Sequence, residues 1–208
     1  MLARVSNVEA FRQWKNWQPL FDGQEEPTVE DLVRFITTDE PTEQMQAGTA
    51  FHKALELADE GNHFEMSALG YTFRLADGAL ELPAIREMRA YGEYGGLTVT
   101  GQVDGLHGGL AMDDRKTAVL GPGGYLGGCR WKFYLDLFGA DEFRWNVFVI
   151  KELEPKVYGV APPQVLTAYR YPGMHDDCLR LAADYLEFAR QHIPEPAVPE
   201  VVQKMMAG

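Results

Sequence analysis

Cysteine is scarce in this chain: Cys129 and Cys178 are the only two among 208 residues. Two cysteines build no disulfide framework, and without a CxxC pair there is neither a thiolate cage for zinc nor a redox motif. Long apolar runs are missing as well. No stretch approaches the ~20 residues that a membrane helix requires. The N-terminal stretch "MLARVSNVEAFRQWKNWQPLF" lacks the uninterrupted apolar centre of a signal peptide, which predicts a cytoplasmic protein. Positive charge is the third shortage: 19 Lys and Arg face 31 Asp and Glu, a net charge of -12. That balance argues against a general affinity for nucleic acid, because phosphate contacts draw on surplus cations. It leaves room for a locally basic channel.

What is present is ordinary for a globular chain, 46% hydrophobic and 24% charged, and enough for a substantial core. The expected organisation is one domain over residues 1–192 followed by a proline-interrupted tail over 193–208. An apolar helical period places Phe11, Trp14, Trp17 and Phe21 on nearly one face of a helix over 8–21, a pattern that marks a buried stripe. A second helix, from Val29 to Ile36, starts at Thr28 with Asp31 three residues on. A third spans about 42–60, with Gly61 as its stop. Strands follow over 63–93, around an "ADG" turn at 76–78. Then come "LTVTGQVDGL" and "LAMDDRKTAV" as strands, "CRWKFYLDLFGA" as a helix, and residues 144–151 as a strand. "KVYGV" and "VLTAYRY" form a further pair of strands. A last helix runs over 174–192, with His175, Asp176 and Asp177 at its start to cap it and complement its dipole. The order is mixed α/β, a central mixed sheet flanked by helices. "GPGGYLGG" at 121–128 lacks the Gly-Lys-Ser/Thr of a phosphate-binding P-loop and reads as a flexible connection.

The informative stretch is "GQVDGLHGGLAMDDRKTAV", residues 101–119. Its two strands meet at a glycine turn, yet Asp104, Asp113, Asp114 and Lys116 occupy positions that a packed hairpin would give to Val or Thr. A two-residue turn at Gly108-Gly109 sets Asp104 opposite Asp113; a three-residue loop or a bulge levels it with Asp114 instead. The chemistry favours the second register. Two neighbouring carboxylates repel unless a cation lies between them, and oxygen ligands suit Mg²⁺, with Mn²⁺ as a substitute. A lysine two residues from one ligand then orients water and meets charge developing on a phosphate. The plainer reading is a hairpin end carrying solvated charges.

Three stretches in order, "AGTAFHKALE", "GQVDGL" with "DDRKT", and "CRWKFYLDLFGAD", resemble the PD-(D/E)XK nuclease superfamily. The likeness is to its RecB-type branch and related phage exonucleases, and it covers roughly residues 44–151. Gly48 and His52 match the Gly-x-x-x-His helix of that family, Gly101 and Asp104 its Gly-x-x-Asp strand, and Asp114, Lys116 and Thr117 its Asp-x-Lys-Thr strand. Tyr134 matches the tyrosine of its Gln-x-x-x-Tyr helix, but Arg130 stands where the glutamine belongs. The resemblance implies a restriction-endonuclease-like core. It also implies a metal held by His52, Asp104, Asp114 and the backbone carbonyl of Arg115. Asp104, Asp114 and Lys116 would be the catalytic residues, with Lys116 positioning the attacking water. Arg130, Tyr134 and Thr117 would bind substrate or support the site.

Glu56, one helical turn beyond His52, is a candidate to orient the imidazole, with solvation as the alternative. Asp113 competes with Asp114 as a ligand. His107 and Glu87 are expected to be incidental. The function so implied is a Mg²⁺-dependent deoxyribonuclease, an exonuclease on linear duplex ends, working in phage-type recombination or repair within a bacterial or phage-infected cytosol. A single-strand-annealing protein is a candidate partner, and a homo-oligomeric ring could form the DNA channel. The competing readings are a DNA-binding protein on an altered nuclease scaffold and a metal-dependent hydrolase of a small phosphoester.

Overall fold

A computed structural model describes residues 1–19, 21–38, 43–58, 64–76, 83, 85–115 and 122–193, without the side chains of 44, 110–115 and 122–123. In chain order the elements are β1 (Leu2–Arg4), α1 (Val5–Lys15), α2 (Val29–Thr37), α3 (Glu43–Leu57), β2 (Glu65–Ala68), β3 (Tyr71–Leu75), β4 (Ile85–Tyr94) and β5 (Leu97–His107). They continue with β6 (Leu110–Arg115), α4 (Pro122–Leu126), α5 (Arg130–Phe138), β7 (Glu142–Val147), β8 (Ile150–Glu154), β9 (Val157–Val160), β10 (Gln164–Tyr169) and α6 (Met174–His192). The fold is mixed α/β, as the order of periodicities predicts. The expected tail over 193–208 lies outside the described residues beyond Ile193.

Local chemistry sets most of these boundaries. The predicted box opens α2: the Asp31 amide donates to the Thr28 hydroxyl while the Thr28 amide donates to the Asp31 carboxylate. Gly139 ends α5 in the left-handed region at φ 61°, a conformation that costs a residue with a Cβ. The first helix is shorter than its aromatic period suggests. It stops at Lys15, because Pro19 disfavours helix at the residue before it and offers no amide of its own. Phe11 and Trp14 still pack on Phe188 of α6, whereas Phe21 is 66% exposed.

Four further expectations change. "GPGGYLGG" contains the short helix α4, whose first position is a proline, where the missing amide costs nothing. The single strand expected over 144–151 is two, β7 and β8, parted at Phe148 and Val149. The N-cap of α6 is Gly173, with no side-chain cap bond, and His175 turns instead to Asp136 at 2.8 Å. Finally, the β2–β3 turn is Leu69-Gly70, and positions 77–78 of the expected "ADG" turn lie outside the described residues.

Two sheets result. In the larger, β5 is flanked on one side by β4 and on the other by β1 and β6, and β7 and β10 continue beyond β6. The smaller runs β2-β3-β9-β8. "KVYGV" and "VLTAYRY" thus part company: β9 pairs with β3 and β8, and β10 with β7. Each sheet has its own apolar core. The larger packs Val99, Val103, Phe143 and Trp145 under α1, α5 and α6; the smaller packs Phe51 and Ala54 of α3 on Phe73 and Phe148. The two cysteines are buried in the larger core. Burial raises the Cys129 thiol well above its usual range and pushes Cys178 up to about 12, so both stay protonated.

Candidate metal centre

Alternation makes β5 a strand with one apolar face and places Asp104 on the other. Val99, Gly101 and Val103 are buried, while Gln102 and Asp104 on the opposite face are only half-buried. Gly101 is required by close packing. A Cβ there would stand 2.6 Å from the Tyr134 ring and 3.1 Å from Val5, so α5 lies directly against the strand that carries Asp104. Tyr134 also stacks on Phe143 and accepts a hydrogen bond from Arg130 at 3.2 Å. Tyr134 is therefore a core residue that fixes β5, with the Arg130 guanidinium 5.7 Å from the centre of its ring.

α3 places His52 over this strand. Phe51 and Ala54 face the smaller core, which leaves His52 turned outward beside them, and its Nδ1 lies 3.2 Å from Asp104 Oδ1. Both side chains are about one-fifth exposed, open enough for a ligand to enter. Arg86 pins the far end of α3, donating to the carbonyls of Leu55, Glu56 and Ala58. The expected Glu56 contact takes another form: the described partner of its carboxylate is Lys53, at 2.7 Å.

Glu87 is the residue that the sequence reading treated as incidental and the structure brings in. Ligand atoms of His52, Glu87 and Asp104 all lie within 4.8 Å of one another. The β4–β5 ladder pairs Arg86 with Gly105 and Met88 with Val103, and between them Glu87 adopts φ 53°. A non-glycine residue in that region carries strain of order ~1–3 kcal/mol, a pattern concentrated at functional sites. Gln102 Nε2 donates to the Glu87 carboxylate, and Arg89 in turn donates to Gln102 Oε1. At this spacing the Asp104 and Glu87 carboxylates repel by on the order of 3–4 kcal/mol at an effective dielectric of 20. A cation, or the imidazolium beside them, relieves that repulsion. One nitrogen and two carboxylate donors on partly open side chains fit a divalent ion that prefers oxygen, with room for further ligands.

The hairpin register is the second correction. His107 pairs with Leu110 around Gly108-Gly109, whose φ values are 51° and 93°, the two-residue turn that needs positive φ at both positions. That ladder runs only from Gly105–Met112 to His107–Leu110, and Asp104 lies one residue beyond it. The metal argument had favoured the register that levels Asp104 with Asp114. On its other edge β6 runs parallel to β7, where Asp114 is level with the buried Asn146. The side chains of Asp113, Asp114 and Arg115 lie outside the described residues, as do Lys116 and Thr117 altogether. His107 is exposed at the turn and outside the cluster.

No family model matches the chain, and no curated protein does. Among solved structures it is similar to a "putative exonuclease" from Eubacterium rectale, with a TM-score of 0.53 at 11% identity over 93% of this chain and 83% of that one. It also aligns with the protein SSO0001, at TM-score 0.48 and 12% identity over 93% of this chain and 78% of the other. At 11% identity the likeness to the former is one of fold.

Proposed function

We propose that this chain is a metal-dependent nuclease that hydrolyses phosphodiester bonds of DNA, with the ends of linear duplexes as its substrate. The observation that carries the reading is the convergence of His52, Glu87 and Asp104 in a fold whose β6 ends in Asp-Asp-Arg, with Lys-Thr next in sequence. The nuclease-like fold and the order of the motifs support it.

In this reading His52, Asp104 and Glu87 hold Mg²⁺ or Mn²⁺ together with Asp114 and the Arg115 carbonyl from β6. The bound ion supplies positive charge to the phosphate and makes a nearby water more acidic. Lys116 orients that water and meets the charge that develops on the phosphate oxygens. Tyr134, wedged against Gly101, holds Asp104 in place, and Arg130 lends its guanidinium to the substrate backbone. Thr117 supports the strand end. End processing in recombination or repair is the setting assigned to this activity, with an annealing protein as its partner and a ring of subunits as one way to enclose DNA.

The test is digestion of linear and covalently closed circular duplex DNA with Mg²⁺, Mn²⁺ or EDTA, for wild type, Asp104→Ala and Lys116→Ala. The expected result is loss of the linear form alone, abolished by EDTA and reduced at least a hundredfold by either substitution. Cutting of the circle as well would replace the exonuclease with an endonuclease. Failure of the folded wild type to cut either form with any metal would overturn the reading.

A further inference from the structure

The face of the larger sheet that ends in the metal cluster continues away from it along β4, β5 and β1. The register fixes what it carries. Next to Asp104 on β5 comes Gln102, paired with Arg89 of β4; next comes Thr100, paired with Tyr91 of β4 on one side and Arg4 of β1 on the other. Arg4 and Arg89 are exposed and Tyr91 is 52% exposed. Among the described residues α1, α5 and α6 pack on the opposite face, and α3 covers only the Asp104 end.

Neither arginine of this strip meets a carboxylate among the described residues. Most described lysines and arginines meet a carboxylate, as in Arg12–Glu9, Lys15–Asp184 and Arg74–Glu65. Arg89 instead donates to the neutral amide of Gln102, and Arg4 forms no ion pair among the described residues. In a chain of net charge -12, two such arginines and an exposed ring stand together on the same face as the cluster. Same-face neighbours on a strand are about 7 Å apart. The rows at Arg89 and at Tyr91 with Arg4 therefore sit about one and two nucleotide steps from Asp104. Glu93, beyond Tyr91, ends the strip, its carboxylate accepting from the Thr98 hydroxyl.

We propose that this face is a subsite for a single polynucleotide strand. Arg89 and Arg4 hold successive backbone phosphates, and Tyr91 stacks an unpaired base, the combination of cations and aromatic ring that binds single strands without reading sequence. The subsite rests on the nuclease reading, since it is the track by which a strand reaches or leaves the metal centre.

The test is anisotropy of a labelled 12-nucleotide DNA strand in Ca²⁺ across a salt series, with hydrolysis of the same strand in Mg²⁺ measured separately. Arg4→Gln and Arg89→Gln each flatten the slope of log affinity against log salt by roughly 0.7, one phosphate contact apiece. Tyr91→Ala weakens binding about tenfold and leaves the slope unchanged. Arg190→Gln, an equal change of charge on α6, alters neither. Circular dichroism melts verify folding, and Arg4 and Tyr91 keep the test clear of the Gln102–Glu87 contact. Wild-type affinity in the Arg4 and Tyr91 variants, an equal loss in Arg190→Gln, or no binding by wild type would each overturn the subsite. Variant-sensitive binding without hydrolysis would keep the subsite and reject the nuclease. Hydrolysis with variant-insensitive binding would do the reverse.

Discussion

Glu87 shows how much one residue's backbone can decide. Its φ of 53° is not the geometry of a strand, yet β4 regains its pairing with β5 at once, so the deviation changes little except where this carboxylate sits. Gln102 then fixes the carboxylate from the side, as neighbours of metal ligands commonly do. Glu87→Gln keeps the shape and the Gln102 contact but removes the charge, and should weaken Mn²⁺ binding about tenfold to a hundredfold, read by titration calorimetry. An unchanged affinity would return Glu87 to the incidental role expected from sequence. A count from the "YGEYGGLTV" turn could have found it. Gly95-Gly96 as a two-residue turn pairs Tyr94 with Leu97, and seven steps back along each strand Glu87 meets Asp104.

Between elements the joints are made by buried carboxylates. Glu9 of α1, only 7% exposed, accepts the Cys129 amide at the start of α5 at 2.5 Å and hydrogen bonds from Arg12 and Gln13. Burial alone would raise its pKa. The bonds from Arg12 and Cys129 outweigh burial and hold the carboxyl below the usual glutamate range. A folded pKa lower than the unfolded one means that the unfolded chain binds more protons, so stability is full above about pH 4.5 and declines as pH falls through the folded value. Asp136 works in the same direction: burial opposes ionisation, and bonds from His175 and Tyr94 prevail, tying α5 to α6 and β4. Glu9→Gln should therefore cost roughly 2 kcal/mol at pH 7. It should also flatten the loss of stability between pH 5 and pH 3, measured by urea unfolding. A variant as acid-sensitive as wild type would disprove this account of the α1–α5 joint.

At the scale of the whole molecule, the candidate centre lies where two cores meet. His52 rides on the helix of the smaller core, while Asp104 and Glu87 belong to the larger sheet. A ligand that binds all three joins the two and stabilises the fold by mass action, about 2.7 kcal/mol at a hundredfold excess over its dissociation constant. For a chain of this length that corresponds to a rise in melting temperature of roughly 5–10 °C. Mn²⁺ should produce such a rise, EDTA should reverse it, and His52→Ala should remove it; no shift at saturating Mn²⁺ would deny the site its metal. Among the described residues no helix is long and apolar enough to cross a membrane, in line with the absence of apolar runs.

Residues that act through near neighbours were legible in the sequence. Thr28 with Asp31 started α2, Gly108-Gly109 marked the hairpin turn, and the alternation from Leu97 to Leu106 gave a strand with Asp104 on its polar face. These depend on hydrogen bonds and steric limits within a few residues, which the local sequence fully specifies. Tertiary structure alone decided what lay across the fold. It bent the chain at Phe148 so that β7 and β8 joined different sheets, and it set α3 so that His52 met Asp104, 52 positions later in the chain. It also closed the hairpin with the two-residue turn Gly108-Gly109, where metal chemistry favoured a longer loop or a bulge. The physical reason is the same in each case. Register and packing are settled by burial of whole faces against partners distant in sequence, and no short motif carries that information.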